Sequence, residues 1–174
     1  MIYCAGYTVS FQEVPDEVSL VLLISDCQHK CAGCHSPELW DKTGEVLTTN
    51  FIDDLVKQYT DAISCVCFMG EGESMEETCK FARYIRDTHH LKTALYTGMT
   101  LIELSEFWFD HVIKSFNYFK VGPYIADLGG LDSPDTNQQM FSVQESDGIL
   151  VNNITYKFTE RKYKDEPLQS VCNS

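Results

Sequence analysis

No apolar run in this sequence outlasts Leu20 to Ile24. A bilayer-crossing helix needs roughly 20 consecutive apolar residues, so a membrane span is not expected. The first residues, Met1 to Phe11, offer neither the basic stretch nor the apolar core of a secretory leader. Cations are scarce as well: 13 Lys and Arg stand against 26 Asp and Glu, a formal charge of -13. Nucleic-acid phosphates and anionic membranes would be repelled, whereas a basic protein surface would not. Internal repeats and low-complexity tracts are lacking. With 44% hydrophobic and 22% charged residues, the composition is that of a folded protein and not of a disordered one. The 174 residues fit one domain, 1–174. A chain of that size buries about 68–70% of its unfolded surface, so it needs no disulfide staple. The expected location is cytoplasmic.

In a reducing compartment the eight cysteines point to metal or redox chemistry more than to disulfides. They are unevenly spread. Cys4, Cys65, Cys67, Cys79 and Cys172 are isolated or lie in apolar segments, where a thiol behaves as a small hydrophobe. Cys65 and Cys67 alternate along an expected strand, so both face one side and pack. Cys27, Cys31 and Cys34 crowd into one loop.

Short apolar runs alternate with helical patterns. Ser19–Ser25, Ala62–Met69, Lys92–Tyr96 and Tyr118–Val121 read as strands covered on both faces. Between them, Asn50 is placed to cap a helix that buries Phe51, Ile52, Leu55, Val56 and Tyr59. Ser74 with Glu77, and Thr100 with Glu103, have the spacing of capping boxes. Strands alternating with helices imply parallel pairing. After Gly122-Pro123 comes a long loop, then expected short strands at Met140–Val143, Ile149–Val151 and Thr155–Phe158. Asn152-Asn153 reads as a turn, and the tail from about residue 159 reads as frayed.

The loop Asp26-Cys27-Gln-His-Lys-Cys31-Ala-Gly-Cys34-His35 follows the first of these strands directly, where an open parallel sheet binds ligands. Three thiolates can hold a soft metal centre. Structural zinc would want a fourth ligand, and His35 is awkwardly adjacent to Cys34. Ferredoxin-type clusters use four cysteines at other spacings. The reading favoured over zinc, and over chance clustering, is a 4Fe-4S cluster with three cysteine ligands and one open iron.

The spacing Cys27-x3-Cys31-x2-Cys34 resembles that of the radical S-adenosylmethionine enzymes. The longer string from Cys27 through Cys34-His-Ser-Pro-Glu-Leu-Trp40 resembles the activating proteins of anaerobic ribonucleoside-triphosphate reductase. So do Tyr96-Thr97-Gly98, Gly122-Pro123-Tyr124 and Asn137-Gln138. Ser36 stands where those proteins have Asn. Met69 stands where the first glycine of their Gly-Gly-Glu or Gly-Gly-Asp segment is expected.

The resemblance implies an α/β fold, an incomplete (β/α) barrel of the radical S-adenosylmethionine type with a less regular C-terminal segment. It implies an oxidoreductase that cleaves S-adenosylmethionine reductively at a 4Fe-4S cluster and leaves a glycyl radical on a large anaerobic ribonucleotide reductase. Cys27, Cys31 and Cys34 would hold the cluster. Gly33, Cys34, His35, Gly70 and Glu71 would line the S-adenosylmethionine site. Gly33 would allow close backbone approach to the adenine. Carbonyls near Gly70 would meet the methionine ammonium, with Glu71 as its charge complement. A branched side chain at position 70 would press toward the cofactor. Tyr96 and Thr97 would share the rim, Tyr96 mainly as packing. A flavodoxin- or ferredoxin-type protein would donate the electron. Alternatives are a small radical S-adenosylmethionine enzyme acting on another glycyl-radical enzyme or a metabolite, and a noncatalytic iron-sulfur or zinc module.

Overall fold

The four apolar runs become four parallel strands at the centre of an eight-stranded sheet in the computed structural model, which describes residues 1–165. Along the chain these are β1 (Tyr3–Ser10), β2 (Ser19–Ile24), a 3-10 turn (Pro37–Trp40), β3 (Glu45–Val46), α1 (Thr49–Gln58), β4 (Cys65–Met69), α2 (Met75–His89), β5 (Lys92–Tyr96), α3 (Leu101–Phe107), α4 (Phe109–Ser115), β6 (Tyr118–Val121), β7 (Gln139–Glu145), β8 (Ile149–Asn153) and α5 (Tyr156–Asp165). The sheet order is β3-β1-β2-β4-β5-β6-β7-β8. Pairing is parallel from β2 through β4 and β5 to β6. It is antiparallel at both flanks, where β3, β1 and β2 pair on one side and β6, β7 and β8 on the other.

Side chains alternate between the two faces of a strand, and both faces here are buried. Leu20, Leu22, Val66, Phe68 and Leu95 pack toward the helices with Ile52 of α1 and Ile85 of α2. Val21, Cys65, Cys67 and Ala94 form the other layer, beneath Val14, Leu131 and Ile154. Double coverage is why these strands read as unbroken apolar runs. It also accounts for Cys65 and Cys67, which have no exposed surface.

The capping signals resolve unequally. Ser74 Oγ accepts from the Glu77 amide at 3.3 Å. Thr100 and Glu103 complete the reciprocal box: the Glu103 amide donates to Thr100 Oγ1 at 3.2 Å and the Thr100 amide to Glu103 Oε2 at 2.7 Å. At α1 the cap is Thr48, whose Oγ1 accepts from the Phe51 amide at 3.1 Å, and Asn50 lies inside the first turn. Thr and Asn two residues apart are both competent caps, and the extended backbone at Thr48 decides between them.

Other expectations at the chain ends are corrected. β1, unforeseen, covers the outer edge of β2, and the equally unforeseen β3 pairs with β1 beyond it. Asn152 and Asn153 belong to β8, paired with Ser142 and Phe141, and the chain reverses between Glu145 and Ile149. Thr155–Phe158 is not a strand but leads into α5. Asn153 Oδ1 takes hydrogen bonds from the Thr155 amide and hydroxyl at 3.0 and 2.7 Å, which turns the chain out of the sheet. Of the tail expected to fray from about residue 159, the part to Asp165 is helical, and the rest lies outside the described residues. Cys172 lies outside the described residues.

The parallel strands end on one rim, and backbone hydrogen bonds join the loops that leave it. The Gly70 amide donates to the Tyr96 carbonyl at 2.9 Å and the Thr97 amide to the Lys120 carbonyl at 3.0 Å. Whatever those loops carry is held in register by the sheet.

Candidate metal centre

β2 delivers the chain to the cysteine loop through Ser25. Its hydroxyl donates to the Thr43 carbonyl at 2.6 Å and accepts from the Thr43 amide at 3.1 Å. Next, the Cys27 amide donates to the Leu39 carbonyl at 2.9 Å. Leu39, buried within the 3-10 turn, anchors the return of the loop. Inside it the Cys34 amide donates to the Cys31 carbonyl at 3.1 Å. Gly33 supports that turn at φ 74°. An added Cβ there would meet Ala126 at 3.3 Å and the ring of Tyr124 at 4.0 Å, so the turn is closely packed at Gly33. The Ser36 amide lies 3.4 Å from Cys34 Sγ; N–H donors to ligand sulfurs tune iron-sulfur potentials. Burial pushes the Cys27 thiol up, Glu71 and Cys31 add to the shift, and the His29 and Lys30 amides oppose it.

All three cysteines line one cavity of about 220 Å³, together with His35, Gly70 and Glu71. The ends of β2, β4, β5 and β6 all contribute, as expected for a parallel sheet. Among the described residues no group of His, Cys, Asp or Glu converges tightly enough for one metal ion. The three thiols line a shared space instead, which suits ligands that each take a separate iron of a larger cluster. His35 packs its ring 4.5 Å from that of Tyr124 while facing the cavity, so packing and cofactor contact are compatible. A larger hollow of about 440 Å³, lined by Arg83, Arg86, Lys114 and Glu145, contains none of these groups.

Two charges share the cavity. Glu71 is 7% exposed. Its Oε1 accepts from His29 Nε2 at 2.6 Å and from Thr97 Oγ1 at 2.8 Å, while its Oε2 is buried without a hydrogen-bond partner among the described residues. The Glu71 carboxylate raises the pKa of His29, against an opposing effect of burial. Lys120, also 7% exposed, donates from Nζ to the Gly122 carbonyl at 2.7 Å and the Thr97 carbonyl at 3.3 Å. Burial pulls the Lys120 pKa down to about 8, although the three cysteines and Glu71 favour its charge.

Sequence reading passed over Lys120 and His29. A single cation inside the apolar run Tyr118–Val121 was a usable signal, because buried charges are rare without a partner or a task.

The 4Fe-4S single cluster domain matches residues 17–139. The chain belongs to that family. This 4Fe-4S protein carries its three loop cysteines and all four parallel strands inside the matched region. No curated protein and no solved structure matches the chain. No helix among the described residues is long and apolar enough to cross a membrane.

Gly70 takes φ 103°, and an added Cβ would lie 3.3 Å from the Ile24 carbonyl oxygen. The first protein atoms a side chain would meet at this position therefore belong to the end of β2. Gly70→Val is expected to cost roughly 1–3 kcal/mol of stability through backbone strain. The check is the urea midpoint at unchanged m-value; an unshifted midpoint counts against the assigned backbone.

Proposed function

We propose that this protein is a radical S-adenosylmethionine oxidoreductase, an activase that abstracts hydrogen from a glycine of a large anaerobic ribonucleotide reductase. The proposal includes a cytoplasmic location and an electron donor of the flavodoxin or ferredoxin type. It takes the (β/α) repeat of β2 through β6 as an incomplete radical S-adenosylmethionine barrel.

The observation that carries the reading is the pairing of three thiols with two separated, opposite charges in one cavity. Glu71 has an unsatisfied buried oxygen, and Lys120 is a buried ammonium with only backbone carbonyls as hydrogen-bond acceptors. A zwitterionic α-amino acid group satisfies both, its ammonium on Glu71 and its carboxylate on Lys120. S-adenosylmethionine carries such a group. Cys27, Cys31 and Cys34 would hold the cluster, which when bound and reduced supplies the electron for reductive cleavage of the cofactor. Ile24, Leu39 and Met69 form an apolar wall of the same cavity, which excludes water from reactive species.

A protein substrate is favoured by the open sheet and by charge. Among the described residues the sheet ends at β3 and β8 and does not close on itself, so a docked partner can help to enclose the site. Glycine suits the reaction because its α-carbon radical is captodatively stabilised and has no side chain in the way. Its hydrogen must come within roughly 3–3.5 Å of the abstracting carbon.

The test mixes reduced protein, S-adenosylmethionine and a candidate anaerobic ribonucleotide reductase under electron paramagnetic resonance. A glycyl doublet that is lost with Cys34→Ala is expected. Formation of 5′-deoxyadenosine without a protein radical would replace the activase with an enzyme acting on a small metabolite.

A further inference from the structure

Glu71 and Lys120 lie in one low-dielectric cavity, yet they do not pair. Lys120 donates to two backbone carbonyls, and Glu71 takes its hydrogen bonds from His29 and Thr97. Opposite charges in such a space attract strongly. Direct pairing would cancel both poles and leave a zwitterion nothing to bind. The separated arrangement therefore needs a restraint.

Resting on the S-adenosylmethionine reading, we propose that His29 is a positioning residue that restrains Glu71 from closing onto Lys120, and that Gly98 provides the clearance His29 needs. His29 stands between two of the three loop cysteines. Its Nε2 donates to Glu71 Oε1 at 2.6 Å, a bond that ties the cysteine loop to the segment leaving β4. Thr97 Oγ1 reaches the same oxygen at 2.8 Å from the end of β5, so both restraints act on Oε1 and leave Oε2 to a ligand. The ring lies against the backbone of Gly98. A Cβ added there would fall 2.5 Å from His29 Cγ and 2.6 Å from Cδ2, distances at which the imidazole must move. The glycine of the Tyr96-Thr97-Gly98 run thus has a steric purpose.

With His29 gone, Thr97 is left to hold a side chain that has three rotatable bonds and an ammonium nearby. The cost falls on cofactor binding and spares cluster assembly, because the His29 side chain donates to no cysteine sulfur among the hydrogen bonds described, and its backbone amide, which faces Cys27, is kept in every variant.

The experiment uses the full chain, reconstituted anaerobically and reduced, in four forms: unaltered, His29→Ala, His29→Gln and Gly98→Ala. Iron content is measured first. S-adenosylmethionine is then titrated while the cluster's electron paramagnetic resonance signal is followed. The unaltered protein is expected to change its signal on binding. His29→Ala and Gly98→Ala are expected to keep their iron and to need roughly ten- to hundredfold more cofactor, the usual effect of losing a hydrogen bond to a charged group. His29→Gln, which retains an N–H donor, is expected to recover most of that loss. A His29→Ala response at the unaltered concentration overturns the proposal. So does a Gln variant no better than Ala at equal iron content. Loss of iron in His29→Ala, with a normal titration in Gly98→Ala, overturns it by making His29 part of the cluster loop's own fold. No response from unaltered protein of full iron content refutes the S-adenosylmethionine reading itself, and this proposal with it.

Discussion

Cys31→Ala protein, supplied with iron and sulfide under anaerobic conditions, is expected to retain almost none of the roughly four irons that the unaltered chain holds. The reason is the absence of a substitute among the described residues. Cys27, Cys31 and Cys34 are the cysteines that line the cavity. The other described cysteines are enclosed elsewhere: Cys4 and Cys79 on the helix-covered face, Cys65 and Cys67 in the opposite layer. None can reach the loop without unfolding the sheet. Cys27→Ala and Cys34→Ala should behave in the same way. Cys4→Ala and Cys79→Ala should keep their iron and lose only the modest stability that goes with a buried thiol. Iron and sulfide analysis with the visible absorption spectrum provides the check. A full complement of iron in Cys31→Ala would sink the ligand assignment.

Lys120→Met should separate folding from function. The lysine's pKa is about 8 in the folded protein against 10.5 for a free side chain. Between those values the unfolded chain binds the proton more fully than the folded one, so stability contributed at this site rises with pH across the window. Below about pH 8 both states are protonated, and the buried charge costs the fold its full penalty, on the order of 3 kcal/mol. Methionine removes the charge and keeps the bulk. Part of the gain is returned when the Gly122 and Thr97 carbonyls lose their donor, which leaves the iron-free protein about 1–2 kcal/mol more stable near pH 7. Its stability should also rise less between pH 8 and 10. Cofactor affinity should fall at least tenfold, since a charge-assisted contact to the carboxylate is gone. Denaturant unfolding at several pH values, with a cofactor titration, tests both halves. A variant that is less stable at pH 7 and equally steep with pH would contradict the buried-charge account.

The central strands were legible because burial on both faces writes an unbroken apolar run, as in Leu20–Ile24 and Cys65–Met69. β1 was not, because its faces are unequal: Cys4 is buried, while Ala5, Tyr7 and Thr8 are exposed. Its pattern, interrupted by Gly6, carries no clear period. Thr155–Phe158 misled for another reason. Its β-prone residues follow a true strand, and a local hydrogen-bonded turn at Asn153 decides the direction of the chain. The site divides similarly. Its cysteines were visible as spacing along one loop, and Glu71 as a charge in a glycine segment. His29, Thr97 and Lys120 come from three separate segments, and their convergence depends on strand register, which no local pattern records.

The burial of the remaining thiols bears on how the protein survives air. Thiolate is the form that reacts with oxidants and other sulfurs. Burial pushes the thiols of Cys4, Cys65, Cys67 and Cys79 up, away from that form. Among the described residues, the sulfur within reach of an oxygen-damaged centre is therefore that of the half-buried loop, apart from a core whose thiols are enclosed. Disulfide scrambling through the core is disfavoured while the sheet holds.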